Sequence, residues 1–178
     1  SYLKPGSHAY TFTSATGVFD DDMKRAKYYC EKFGLVHHLI EITFDDYKNY
    51  TPIVMAAKEA PVHSIEPQIY KGAIEAKKDG VEMMIVGESA DLIFGGMDKL
   101  ITPKWDYEGF VKRYTFLEPE LVLTHPVSQY ELFEKYRTGQ TGIDYMRFMD
   151  EVFSIESSGS YLNAFGVARL PYYDPYAR

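Results

Sequence analysis

The chain has 178 residues, of which 46% are hydrophobic and 25% charged, a length that fits one globular domain, or one domain and a small appendage. No apolar run approaches the roughly 18 residues that cross a bilayer, and no basic start leads into an apolar run with a cleavage site. Lys and Arg number 19 against 26 Asp and Glu, a net charge of −7 that argues against nucleic-acid binding. The single cysteine, Cys30, excludes an internal disulfide and a multi-cysteine zinc site. A cytoplasmic domain is the expectation.

His8 to Thr13 is rich in aromatic and β-branched residues and predicts a strand. Asp20 to Phe33 predicts a helix, with Met23, Ala26, Cys30 and Phe33 on one face. Asp20, Asp21 and Asp22 favour its N-terminus, and Gly34 caps it. Leu35 to Ile42 predicts a second strand. Thr51 and Pro52 read as N-cap and first residue of a short helix reaching Lys58. Gln68 to Lys78 predicts another helix, closed by Gly80. Val81 to Val86 is an almost unbroken apolar run, as in a parallel strand buried on both faces. After Gly96 the pattern predicts helices without a confident strand. Ser128 and Glu131 form a capping-box pattern. Gly139 and Gly142 bracket a turn, and Met146, Met149 and Phe153 mark a further helix. Arg169 to Arg178 reads as extended coil. The division expected is an α/β layer over 1–100 and a helical extension over 101–178.

Gly87 to Gly96, GESADLIFGG, follows the apolar strand directly. Ligands of open α/β sheets bind at such strand ends. Gly87 and Ala90 let main-chain amides come close to a ligand. Glu88 and Asp91 put two carboxylates on the turn, which suits Mg²⁺ or a general base. An ordinary βα loop capped by Asp91 is the competing reading.

GESADLIFGG resembles the S-G-E-G-A/S-D-E-L-F-G-G-Y segment of asparagine synthetases and their relatives, the amidotransferase-type ATP pyrophosphatases. Glu88, Asp91 and Ile93 to Gly96 carry the match. Ala9 to Ala15 (AYTFTSA) resembles the family's T-F-S-I-G strand. Asp21 to His38, ending in Gly34 and His37-His38, resembles its helix and G-x-x-H-H turn. Glu59 to Tyr70 resembles its Pro-rich stretch, and Asn163 to Asp174 resembles M-A-x-G-x-E-x-R-x-P-F-L-D with one residue deleted.

The resemblance implies a parallel-sheet, adenine nucleotide alpha-hydrolase-like (PP-loop ATP pyrophosphatase) layer. It implies an ATP-dependent, AMP-forming amide ligase that uses ATP and Mg²⁺, adenylates a carboxylate and releases pyrophosphate. An amine then displaces AMP, often ammonia from a glutaminase domain. By position, Asp91 would bind Mg²⁺ and Glu88 would sit beside the reacting carbonyl. Phe12, Thr13, Ser14 and Ala15 would face adenine, and Gly87 and Ser89 would approach the nucleotide. Neither nucleic acid nor membrane is an expected partner; a homo-oligomer is allowed.

Three departures stand against this. The family's phosphate loop, S-G-G-x-D-S, is absent, and eight residues before Ala9 are too few for its strand, loop and helix. The expectation is therefore a piece of a longer protein lacking the first strand, inactive by itself, its sheet gap filled by another copy or by rearrangement. Leu92 replaces the family's second acid and Ser89 its glycine. No Lys follows Lys135, so the family's C-terminal D-K pair is lost near Gly159-Ser160. These losses keep open a degenerate, non-catalytic domain with a binding or assembly role.

The remaining candidates have simpler readings. His37 and His38, adjacent on a strand, point to opposite faces and cannot easily share one ion. His8, His63 and His125 suggest no triad. Cys30 reads as a buried small hydrophobe, Lys99 as a surface residue, and the excess of Tyr as packing.

Overall fold

A computed structural model describes residues 3–17, 20–88, 90–94, 103–115 and 118–176; for residues 91–92 and 153–158 the description covers the backbone. It is a mixed α/β protein with parallel strand pairs. The chain divides into two units, Ser1–Gly87 with Ser158–Arg178, and Glu88–Ser157. Residues 158–178 therefore group with the N-terminal layer, and not with the remainder of the expected 101–178 extension. No described helix is long and apolar enough to cross a membrane.

In the first unit, strands β1 (His8–Thr13) and β2 (Val36–Glu41) pair in parallel, with Tyr10 opposite His38 and Thr13 opposite Glu41. Helix α1 (Asp20–Phe33) connects them, with three aspartates in its first turn. Gly34, at φ +67°, takes the left-handed conformation that ends α1. The Leu35 amide then donates to the Cys30 carbonyl at 2.9 Å. Cys30 is buried, as its place in the helix pattern predicts; burial, helped by Glu31, pushes its thiol pKa up. Its companion Phe33 is exposed, so the apolar face of α1 is only partly covered.

Helix α2 runs from Phe44 to Lys58, eight residues earlier at its start than the Thr51-Pro52 signal predicts. A complete capping box overrides that signal: the Asp46 amide donates to Thr43 Oγ1, and the Thr43 amide donates back to Asp46 Oδ2. Pro52 lies inside the helix, which gives up one main-chain hydrogen bond there. Helix α3 (Glu66–Lys78) starts two residues before the predicted Gln68 and ends as expected at Gly80.

Strand β3 is only Met84–Ile85, and it pairs in parallel with β6 (Tyr172–Tyr173). The expected six-residue strand, buried on both faces, is thus corrected. Met83 and Ile85 are both more than half exposed. The tail read as coil supplies β6, which the Met84 amide secures by donating to the Pro171 carbonyl at 2.9 Å. Among the described residues β1 pairs only with β2, and β3 only with β6. Both pairs pack on α3. Phe12 and Ile40 lie against Gly72, where a Cβ would come within 3.1 Å of the Phe12 ring. Next to Gly72 on the same buried face, Ile69, Ala73 and Ala76 of α3 cluster with Ala164, Phe165 and Ala168 of α8 (Ser154–Ala168), with Met84 and Val86 alongside. Each large side chain buried there contributes roughly 1.5–3 kcal/mol.

The second unit contains α4 (Ala90–Phe94), α5 (Tyr107–Thr115), α6 (Gln129–Phe133) and α7 (Tyr145–Phe148). A π-helical turn, Met149–Phe153, follows α7. Ser128 caps α6 by position but without a side-chain hydrogen bond, so the predicted capping box does not form. The turn at Gly139 and Gly142 closes a hairpin of β4 (Arg137–Thr138) and β5 (Gly142–Ile143), strands the helical pattern did not suggest. The core is aromatic: Tyr107, Phe110, Phe133, Tyr136 and Phe148 are buried together, with Tyr114, Tyr130 and Tyr145 packed around them. The Tyr excess here is packing, as predicted.

Candidate functional site

The carboxyl ends of β1 and β2 lie side by side in the first unit. The Thr13 carbonyl accepts from the Ile42 amide at 2.8 Å, holding the two strand ends together. The chain then turns: the Gly17 amide donates to the Ser14 carbonyl at 3.1 Å, and the hydroxyls of Ser14 and Thr16 meet at 2.8 Å. Of the four residues expected to face adenine, Phe12 has its ring against α3, while Thr13, Ser14 and Ala15 follow one another into this turn. The structure thus brings the four together at one strand end, with Phe12 serving the core as well.

Lys71, on α3, braces the β2 end. Its ammonium donates to the Glu41 carbonyl at 2.7 Å and to Asp46 Oδ2 at 2.8 Å. Burial pushes the Asp46 carboxyl pKa up. The hydrogen bonds from Lys71 and Thr43 outweigh burial and hold it below the usual carboxylate value. Lys71 was not singled out from the sequence, where it is one lysine among several on an amphipathic helix; only the fold aims it at the strand end.

Deeper in the unit, Glu66 is fully buried. Its Oε1 accepts from Lys58 Nζ at 2.7 Å and from the His63 amide at 2.9 Å. Its Oε2 accepts from Asn163 Nδ2 at 2.7 Å, and Asn163 also donates to the Val54 carbonyl at 3.0 Å. Desolvation raises the Glu66 pKa, but these donors prevail and the carboxyl titrates below its ordinary value. With both oxygens engaged, Glu66 is a structural tie between α2, α3 and α8 and is poorly placed to accept a substrate proton. The sequence shows Glu66 only as an acid before Pro67 at a helix start.

Gly87 is exposed, and a Cβ there would meet only the Tyr176 ring, at an ordinary 3.7 Å. Glu88 follows in a turn and is half-buried. Asp91 lies in α4, with its side chain outside the described residues, as are Ser89, Gly95, Gly96 and Lys99. Glu88 and Asp91 offer hard carboxylate oxygens of the kind Mg²⁺ prefers. The Thr13–Ala15 turn offers main-chain groups and hydroxyls suited to a nucleoside. Arg169, matched to the family's arginine by sequence, takes a left-handed backbone at φ +53° just after α8, and Asp174 is buried beyond it.

No curated protein matches the chain. The family model described as asparagine synthase matches residues 2–154. That span runs from β1 through the GESADLIFGG segment and into the aromatic helical unit, and the chain therefore belongs to the asparagine synthase family.

Proposed function

We propose that the chain serves an ATP-dependent, AMP-forming carbon–nitrogen ligation in the cytoplasm. Its first unit would be an adenine nucleotide alpha-hydrolase-like layer. The observation that carries this reading is the family match over 2–154, with β1 ending in the Ser14–Gly17 turn and β3 leading into Glu88 and Asp91.

In this reading the Thr13–Ala15 segment contacts adenine through its backbone, and Asp91 holds Mg²⁺. Mg²⁺ held there would supply charge neutralisation at the departing pyrophosphate. A substrate carboxylate oxygen attacks the α-phosphorus, and pyrophosphate leaves. Glu88 then orients or deprotonates the incoming ammonia or amine, and AMP departs as the amide forms. These 178 residues contain no S-G-G-x-D-S string, so adenylation needs a phosphate loop from outside them. A glutaminase domain is a natural source of the ammonia.

The second reading is a synthetase-like domain kept for binding or assembly. Leu92 in place of an acid and the lack of any Lys after Lys135 favour it. The test is pyrophosphate release from ATP and Mg²⁺, with candidate carboxylates and ammonia, on the entire product of the gene. We expect release, cut about 100-fold or more by Asp91→Asn. ATP binding by calorimetry together with pyrophosphate release would sink the second reading; no pyrophosphate release, with or without ATP binding, would leave it standing.

A further inference from the structure

We propose that His8, His38 and Asp79 form a binding site for one divalent transition-metal ion, with Zn²⁺ the preferred occupant. His8 opens β1, His38 lies in the middle of β2, and Asp79 is the C-cap of α3. The register sets Tyr10 opposite His38, so the side chains of His8, Tyr10 and His38 share the sheet face that α3 covers. One ligand atom from each of His8, His38 and Asp79 can be chosen so that all lie within 4.8 Å of one another. His38 Nε2 is 3.1 Å from His8 Nδ1, and His38 Nδ1 is 3.2 Å from Asp79 Oδ2. Neighbouring ligands on a tetrahedral zinc at about 2.0–2.1 Å are roughly 3.3–3.5 Å apart. The two short contacts use the two different nitrogens of His38, so whichever one binds, its short partner is already near that separation and the third ligand atom has to close in from within 4.8 Å.

Two imidazoles and a carboxylate select a borderline ion such as Zn²⁺, Co²⁺ or Ni²⁺ over Mg²⁺, which wants oxygen ligands. A supporting shell is present too. The Tyr10 hydroxyl donates to Asp79 Oδ2 at 2.9 Å and lies 3.2 Å from His8 Nδ1, and its ring stacks on His38 at 4.5 Å. His8 stacks on His38 at 4.8 Å and is exposed, so its ring can turn to offer a nitrogen without moving the backbone. Exposed His8 and Asp79 leave room for water as a further ligand. Beside the cluster a polar cavity of about 520 Å³ runs past His38, Glu75 and Asp79. The site sits at the opposite end of β1 from Thr13, about 16 Å away along the strand, so it is separate from the proposed nucleotide end. A bound ion would clip β1, β2 and α3 together at one point.

The experiment is calorimetric titration of the chelator-stripped chain with Zn²⁺, and with Mg²⁺, alongside thermal unfolding. We expect one Zn²⁺ per chain at micromolar affinity, a raised melting temperature, and no competition from Mg²⁺ for the Zn²⁺ site. His8→Ala and Asp79→Asn, both at exposed positions, should each weaken Zn²⁺ binding about ten-fold or more. His37→Ala should leave it unchanged, because His37 points to the other face, where its Nε2 meets Thr11 Oγ1 at 2.7 Å. Failure to bind Zn²⁺ below millimolar concentration would overturn the proposal. So would equal binding by wild type, His8→Ala and Asp79→Asn, or binding that disappears instead with His63→Ala or His125→Ala.

Discussion

Replacing Glu66 by glutamine isolates what a buried charge does for this fold. The glutamine has the same shape, but only one of its terminal atoms accepts hydrogen bonds. Two donors, Lys58 Nζ and the His63 amide, converge on Oε1, so the amide oxygen must take that place. The new NH₂ group then faces Asn163 Nδ2, donor against donor. Asn163 cannot escape by flipping, because its Nδ2 also serves the Val54 carbonyl. The variant loses one charge-assisted hydrogen bond outright and weakens a second to Lys58. Such bonds are worth about 1.5–3 kcal/mol each. Lys58 is 24% exposed and can recover some hydration by turning outward, which limits the loss. The expected destabilisation at pH 7 is therefore about 2–3 kcal/mol, read from urea unfolding followed by circular dichroism.

The pH dependence checks the cause. The folded pKa of Glu66 is lowered from its ordinary 4.5, so its contribution is fully present above that value and is lost as pH falls through the lower folded pKa. Between the two, the unfolded chain takes up a proton that the folded chain refuses. The gap between wild type and Glu66→Gln should then narrow by up to about 1.4 kcal/mol per pH unit below 4.5. Asp46 titrates in the same direction but is common to both proteins and cancels in the difference. A gap that stays constant from pH 7 to pH 3, or one below about 0.5 kcal/mol at pH 7, would refute the charge argument.

Two further predictions concern the second unit. Glu151 is held down to about 2, first by Arg147 at 2.7 Å, then by Lys135 and Tyr136. In Arg147→Gln its titration midpoint, followed by carbon NMR of the carboxyl, should climb toward the ordinary 4.5; a midpoint still near 2 would show that Lys135 and Tyr136 suffice. Phe110 is completely buried and its ring meets Trp105, Phe133 and Phe148. Phe110→Ala should cost about 3–5 kcal/mol in denaturant unfolding, and a loss under about 1 kcal/mol would mean the aromatic cluster closes over the gap.

Local chemistry made the first unit readable where the signal was short-range. β1, α1 and the closing glycines Gly34 and Gly80 fall where alternation, helical spacing and capping put them. The reading failed where one local signal competed with another. Thr51-Pro52 looks like a helix start, yet Thr43 and Asp46 satisfy two orphan donors at once and start the helix earlier. It failed again where a strand depends on a distant partner. The apolar run Val81 to Val86 suggests burial on both faces, but a strand is as long as its partner allows, and Tyr172–Tyr173 offers only two residues. Likewise β4 and β5 are two residues each and exist because the turn between them brings them together, which residue periodicity does not record.

The candidate sites divide along the same line. The segments matched to the family are contiguous strings, so Thr13 to Ala15 and Glu88 to Asp91 stand out in the sequence. Glu66 with Asn163, and His8 with His38 and Asp79, are assembled from residues 97, 30 and 41 or more positions apart. For His37 and His38 the alternation of a strand correctly denies them a shared ion, since one meets Thr11 and the other His8. The same alternation contains the missing half of the argument. If His38 faces away from His37, it faces whatever the neighbouring strand presents on that side. The parallel register sets Tyr10 opposite it, with His8 two residues back on the same face. Residue spacing within β2 can exclude a metal pair, but only the pairing of β2 with β1 can create one.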